Sequence, residues 1–395
     1  MPRPACLALP FALLCLPVQP LTAQTVPDSA WGAATAVFDR LLQVDSIVGG
    51  SLALVRDGRI IRRHDAGLQD RAARRPMGPG AILHWGSITK TLTAVAILGL
   101  RDRGLLSLDD PITRWVPELR QVHNPHGAMD AITLRMLLSH SSGLQNPTWP
   151  YRRYVAWEPF EPTRWEQLVS LMPYQEILFP PGSRYGYSNP AYIYLARVIE
   201  AVTGDPYQSY IYKNLWNPLG LTESSFGATP WHLREARSSN YTLVRDSAGV
   251  ERVVDNGPEF DPGITIPNGG WNAPVTDLAR WMAFLSGAAG AETALRRRFD
   301  TVLGRPTLEE MWRPVVPVGD GAEESMGLGF FLRRQGAVTL VGHTGEQAGF
   351  RSFLYFNPVT RLGVIGCVNT TNDARPGESG RAFRQAMLAA VSLLR

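Results

Sequence analysis

Apolar residues in this chain follow a short period first, then a helical one, then a short one again. Val48 to Val55 reads as a strand, Asp57-Gly58 is a hairpin turn signal, and Arg59 to His64 reads as the returning strand, so the body of the chain is expected to open with β-structure. From Ser87 the period lengthens. Ile88, Leu92, Val95 and Ala96 recur at helical spacing, with Gly104 placed to end the helix. A second helix is predicted from about Pro190 to Val202, with Tyr192, Leu195, Ala196 and Ile199 on one face and Gly204 beyond its end. Strands return over Val338 to Thr344, Phe350 to Phe356 and Leu362 to Val368, with an Asn357-Pro358 turn before the last and an apolar-periodic helix after it. Such short connections imply antiparallel neighbours. The expected architecture is α+β: segments 28–86 and 263–395 build an antiparallel sheet flanked by helices, and 87–262 forms a mainly helical insertion. No internal repeat or low-complexity tract interrupts this plan.

The first residues differ from the rest. Arg3 gives a basic start, Cys6 to Val18 is mostly apolar, and Leu21-Thr22-Ala23 places a small residue before Gln24, which is the layout of a secretory signal peptide over 1–23. Its apolar run is too short for a membrane span and is broken by Pro10 and Pro17, so no span is expected after cleavage. Removing it takes away Cys6 and Cys15 and leaves Cys367 alone, with no intrachain disulfide to form. The expected location is outside the cytoplasm, secreted or periplasmic. A 45% hydrophobic content suits an ordinary globular protein, and a net charge of +4, or +3 without Arg3 (4 − 1), is too small and too evenly spread for a nucleic-acid partner. The densest basic run, Arg296 to Arg298, reads as a solvated helix face.

Charge becomes informative through residue type. Of the 39 basic residues only Lys90 and Lys213 are lysine, so the other 37 are arginine. Arginine cannot give up its proton in a protein, whereas a buried lysine can become a neutral base. Lys90 follows Ser87 by three positions, which at a helix start puts hydroxyl and amine on one face within mutual reach. That spacing is common enough by chance to need support, the plain alternative being a helix-capping serine and a surface lysine.

Support comes from two further segments, Tyr187-Ser188-Asn189 just before a helix and His343-Thr344-Gly345 at the end of a strand. With Ser87-Ile88-Thr89-Lys90 they resemble, in order and separation, the three active-site elements of penicillin-binding proteins and serine β-lactamases. The Tyr-Ser-Asn form looks like the class C β-lactamase and DD-peptidase branch. Further likeness lies in Leu137 to Leu144 (LLSHSSGL), Pro181-Gly182, Pro218-Leu219-Gly220, and Gly269-Gly270 before Asp277 to Arg280. It covers nearly everything after the leader.

The resemblance implies an acyl-enzyme hydrolase without cofactor or metal. Ser87 would be the nucleophile, and Lys90 and Tyr187 would move protons, with the choice of base left open and both pKa values needing to be lowered. Asn189, His343, Thr344 and Gly345 would bind substrate, and the backbone N–H groups of Ser87 and Glu346 would form the oxyanion hole. Two positions depart from the family pattern. Glu346 stands where a small polar residue is expected, and its carboxylate would repel an anionic substrate; His343 replaces the lysine of many class C enzymes, which points away from a dedicated β-lactamase. An unperturbed His343 would lose its charge near pH 6.5, leaving Arg351 as the next candidate anchor for a substrate carboxylate. The substrate is thus a D-amino-acid peptide, ester or related amide. β-Lactamase proper, or a catalytically inactive peptidoglycan- or protein-binding relative, is the alternative. Pocket shape is expected from Thr148 to Trp165 and Gly269-Gly270-Trp271, and oligomeric state is not legible. The remaining histidines lack metal-ligand spacing, and no G-x-S-x-G elbow occurs.

Overall fold

The three apolar runs near the C-terminus form the middle of one large sheet. The computed structural model describes residues 26–146, 162–287, 293–319, 321 and 323–395. The leader expected over 1–23, with Cys6 and Cys15, and the Thr148 to Trp165 loop up to residue 161, lie outside them. The sheet has nine antiparallel strands: β1 (Gly49–Arg56), β2 (Arg59–Asp70), β3 (Arg75–Pro76), β4 (Val316–Pro317), β5 (Glu324–Met326), β6 (Phe331–Gln335), β7 (Val338–Gln347), β8 (Phe350–Phe356) and β9 (Leu362–Val368). They lie in the order β3-β2-β1-β9-β8-β7-β6-β5-β4. β1 pairs with β9 from Gly50 opposite Val368 to Arg56 opposite Leu362, so early and late sequence meet at the centre.

Every residue of β8 and β9 is buried. Both faces of the sheet are covered there, which is why these strands read as apolar runs without alternation. Helices that cover it and build much of the core are α1 (Asp28–Val44), α2 (Thr89–Asp102), α3 (Asn189–Thr203), α4 (Val275–Ser286) and α5 (Pro376–Val391). On one face, Phe38 and Leu41 of α1 and Met387 and Ala390 of α5 pack on Leu52, Phe353, Tyr355 and Val364. On the other, Leu354, Phe356 and Ile365 join a core that runs through α4 into α2 and α3. α2 is buried nearly all round and Gly104, at φ 72°, follows its end; α3 ends on Gly204, at φ 74°.

One expectation is corrected. The described chain opens with α1, not with β-structure: α1 buries only Ala34, Phe38 and Leu41, and so thin a stripe in an alanine-rich segment carries little periodic signal. The middle region also holds strands. Tyr241–Arg245 and Glu251–Asp255 form a hairpin, and Thr370–Asn372 adds to it in parallel. Arg296 to Arg298 are exposed on the helix Thr293–Val302, as expected. Cys367 is buried and free, and no helix among the described residues is long and apolar enough to cross a membrane.

Candidate active site

The position of Ser87 is set by the strand before it and by two glycines. Strand Ile82–His84 pairs with Trp271–Pro274, and Trp85 continues the grip, its N–H donating to the Trp271 carbonyl at 2.8 Å and its indole to that of Ala273 at 2.9 Å. The chain then bends at Gly86, φ 52°, where a Cβ would stand 2.8 Å from the Glu346 nitrogen. A Cβ on Gly345 would stand 2.0 Å from the Trp85 carbonyl oxygen. Only glycines let the Ser87 turn press so closely on β7.

That turn fills a gap in the sheet. β6 pairs with β7 only up to Phe331 opposite Gly342, so among the described residues no strand pairs with 343–347 on that side. The β7–β8 turn, with Ala348 at φ 45° and Gly349 at φ 81°, is a two-residue hairpin of the I′ kind, which makes Gln347 and Phe350 a hydrogen-bonded pair. Glu346, one residue back, is therefore in a non-bonded pair with Arg351, and its N–H points away from β8 toward the Ser87 turn.

Lys90 lies one helical turn beyond Ser87 and is fully buried. Its Nζ lies 3.0 Å from Ser87 Oγ and donates to Asn189 Oδ1 at 2.8 Å and to the Asn268 carbonyl at 2.8 Å. No carboxylate is among these partners, and burial holds the amine well below its usual pKa. Asn189 is presented by the start of α3: Ser188 caps that helix, accepting from the Ala191 N–H, and Asn146 and Asn268 fix the Asn189 amide.

Tyr187 is half-buried at the cleft, and its phenol shares a hydrogen bond with the Ser87 side chain. Its ring lies 4.9 Å from Lys90 Nζ. Burial pushes its pKa up in spite of the serine contact, so the phenol keeps its proton, contrary to the expectation that both groups would be lowered. His140 backs it, with ring centroids 4.2 Å apart. His140 ends a short helix in the left-handed conformation, φ 54°, where glycine is usual, and its Nδ1 accepts the Ser188 N–H at 3.1 Å. The role of His140 was not legible in the sequence, although its segment belongs to the resemblance; the positive φ on a non-glycine residue marks it only in three dimensions.

His343 departs most from expectation. It is buried against Phe331, and Nδ1 meets the Thr344 carbonyl at 2.5 Å. Burial, and then the charge of Lys90, push its pKa down to about 3. It is neutral above pH 5 and cannot serve as a titrating carboxylate anchor.

Ser87, Tyr187, Asn189, Thr344, Gly345 and Glu346 line one cleft of about 490 Å³, whose far wall includes Phe383, Arg384 and Met387 of α5. Lys90 and His343 lie behind its surface. A larger hollow of about 660 Å³ between α1 and the end of α5 contains none of these residues. Trp271, expected at the pocket, is instead in the core against Trp216 and Trp281, and its segment reaches the site through Asn268. Among the described residues no cluster of metal-ligating side chains occurs.

A serine-bearing turn wedged between an antiparallel sheet and a helical body, with a buried amine beneath it, is the architecture of penicillin-recognising hydrolases. The family model described as Beta-lactamase matches residues 34–388, and the chain belongs to that family. Among curated relatives, "Protein flp" of Staphylococcus aureus (strain NCTC 8325 / PS 47) is 25% identical over 344 residues, 86% of this chain and 63% of that protein. The chain thus spans less than two thirds of that relative's length. "Esterase EstB" of Burkholderia gladioli is 33% identical over 259 residues, 60% of this chain and 64% of that protein. Among solved structures, a D-stereospecific amidohydrolase from Streptomyces sp. superimposes with a TM-score of 0.67 at 26% identity, covering 91% of this chain and 98% of that one. A class C beta-lactamase superimposes with a TM-score of 0.71 at 18% identity, covering 95% and 99%, a likeness of fold alone.

Proposed function

We propose that this protein is an exported serine hydrolase that cleaves esters or amides, D-amino-acid peptides among them, through an acyl-enzyme on Ser87. The carrying observation is the Lys90 amine, buried 3.0 Å from Ser87 Oγ with no carboxylate of the described residues among its hydrogen-bond partners. A neutral amine has two N–H donors and one lone pair. The Asn189 Oδ1 and the Asn268 carbonyl can only accept, so they take both donors and leave the lone pair for the Ser87 hydroxyl. This supports Lys90 as the base and Tyr187, which keeps its proton, as the donor to the leaving group.

In this reading Ser87 Oγ bonds to the substrate carbonyl carbon while its proton passes to Lys90. The oxyanion is met by the N–H groups of Ser87 and Glu346; one such donor is worth about 2.7–4 kcal/mol. Collapse breaks the C–O or C–N bond, Tyr187 gives its proton to the departing group, and Lys90 restores the phenol. Water then adds to the acyl carbon with its proton going to Lys90, the bond to Oγ breaks, the acid leaves, and Lys90 returns the proton to Ser87. Asn189, Thr344 and Gly345 hold the substrate along β7, and His343 shapes the wall behind it.

The esterase and amidohydrolase relatives make a short-chain ester and a D-amino-acid amide the substrates to assay first, with β-lactam hydrolysis as a side activity. Export rests on the leader pattern, and N-terminal sequencing of the protein from its producing cells, expected to begin at Gln24, tests it. The central test is intact mass after mixing with a fluorophosphonate. Wild type should gain one phosphonyl group and Ser87→Ala none, with an unchanged melting profile. Labelled Ser87→Ala would refute the assignment; an unlabelled wild type would favour a non-catalytic binding relative.

A further inference from the structure

An ion pair sits in the cleft beside Ser87 and has no part in the hydrolytic cycle. Glu346 and Arg351 oppose each other across β7 and β8, with Arg351 Nη2 donating to Glu346 Oε1 at 3.0 Å. The arginine side chain is 10% exposed and the glutamate 60%, and both line the cleft with Ser87 and Thr344. The guanidinium is thus sunk in the wall and its carboxylate partner covers it from the solvent side. Among the described residues, the other charged groups lining the cleft are Glu324 and Arg333, 4.0 Å apart, and Arg384 on α5.

A guanidinium in a substrate cleft is the preferred partner of a carboxylate. Here the chain supplies that carboxylate itself, at the residue whose backbone N–H faces the nucleophile turn. We propose that Glu346 is an internal plug: it occupies Arg351, the guanidinium a carboxylate-bearing substrate would use, and so directs the site to neutral esters and amides and away from peptides or β-lactams with a free carboxylate. The proposal rests on the acyl-enzyme reading above. A tethered carboxylate competes at high effective concentration, and a substrate carboxylate that displaced it would still meet its charge nearby.

The test compares kcat/KM for a D-Ala-D-Ala peptide with that for a neutral short-chain ester in wild type, Glu346→Ser, Arg351→Met and the double variant. The readout is the ratio within each protein, because a shift of the backbone at 346 would slow both substrates alike. Where peptide turnover is too slow to follow, acylation by a penicillin relative to a neutral fluorophosphonate gives the same ratio. We expect the ratio to rise at least tenfold in Glu346→Ser and to return to within threefold of wild type in the double variant. An unchanged ratio in Glu346→Ser overturns the proposal, and so does a rise that survives removal of Arg351. Arg351→Gln carries the same expectations should Arg351→Met not fold. Failure of the hydrolase reading looks different, since wild type would then neither take up fluorophosphonate nor turn over the ester.

Discussion

A guanidinium in place of the Lys90 amine keeps the positive charge and loses the lone pair. Lys90→Arg should therefore be as damaging as Lys90→Ala, each retaining less than about a tenth of wild-type kcat/KM, a loss above roughly 1.4 kcal/mol. An arginine variant above that level would make Lys90 a fixed charge. If Lys90 is the base, as proposed, the neutral amine is the reactive form, and kcat/KM should rise with pH through the lowered pKa of Lys90 and level off above it. His343 gives a second expectation at this scale. With its pKa near 3 it carries no charge from pH 5.5 to 8, so the ratio of kcat/KM for a carboxylate substrate to that for a neutral ester should be flat over that range. A fall of fivefold with rising pH would show a protonated imidazole there. The identities of these residues were legible from spacing and resemblance. Their protonation states were not, because burial lowers Lys90 and His343 and raises Tyr187, and burial is a property of the packed molecule.

The site depends on how closely the Ser87 turn rests on the open end of β7. Gly345→Ala would push a methyl group onto the Trp85 carbonyl, which strand pairing and the Ser352 hydroxyl, at 2.9 Å, hold in place. Displacement of the turn from β7 would separate the two proposed oxyanion donors, the N–H groups of Ser87 and Glu346. Acylation by an ester or a fluorophosphonate should slow by about a hundred- to thousandfold, the usual cost of losing one donor. Rapid-mixing kinetics would show it, and a wild-type acylation rate would mean that Ser87 and Glu346 are not the paired donors. At this scale the sequence was legible in part. β9 matched its apolar run from Leu362 to Val368, and α3 is bounded by Ser188 and Gly204 near the ends its pattern predicted. The short helix ending on His140 was not legible, since its stop uses a residue type that rarely adopts that conformation.

Three histidines, His84, His140 and His343, are buried in the molecule and their pKa values are depressed, mainly by that burial. His84 is pushed down to about 4 and His343 to about 3. A depressed folded pKa means that the unfolded chain binds the proton first as pH falls. The stability is then fully present above about pH 6.5 and is lost as pH drops toward those folded values. At pH 5 the loss is roughly 2 kcal/mol for each of His84 and His343. Asp277 and Glu324, whose pKa values burial raises, offset part of it. Urea unfolding at pH 7.5 and pH 5 should show a clear drop in midpoint, and His343→Gln should make the drop smaller; equal midpoints in wild type would contradict neutral, buried histidines.

The sequence by itself determined the α+β class, the sheet shared by both ends of the chain, and a serine with a lysine three residues on at a helix start, because strand and helix periods and short-range spacing are local properties. Family resemblance extended this to Tyr187, Asn189 and β7. Only the tertiary structure decided that Lys90 meets the Asn268 carbonyl from 178 residues away, that Glu346 covers Arg351, and that position 343 is uncharged. Each depends on which distant segments exclude water from a side chain and which acceptors they bring to it, and neither is written in local pattern.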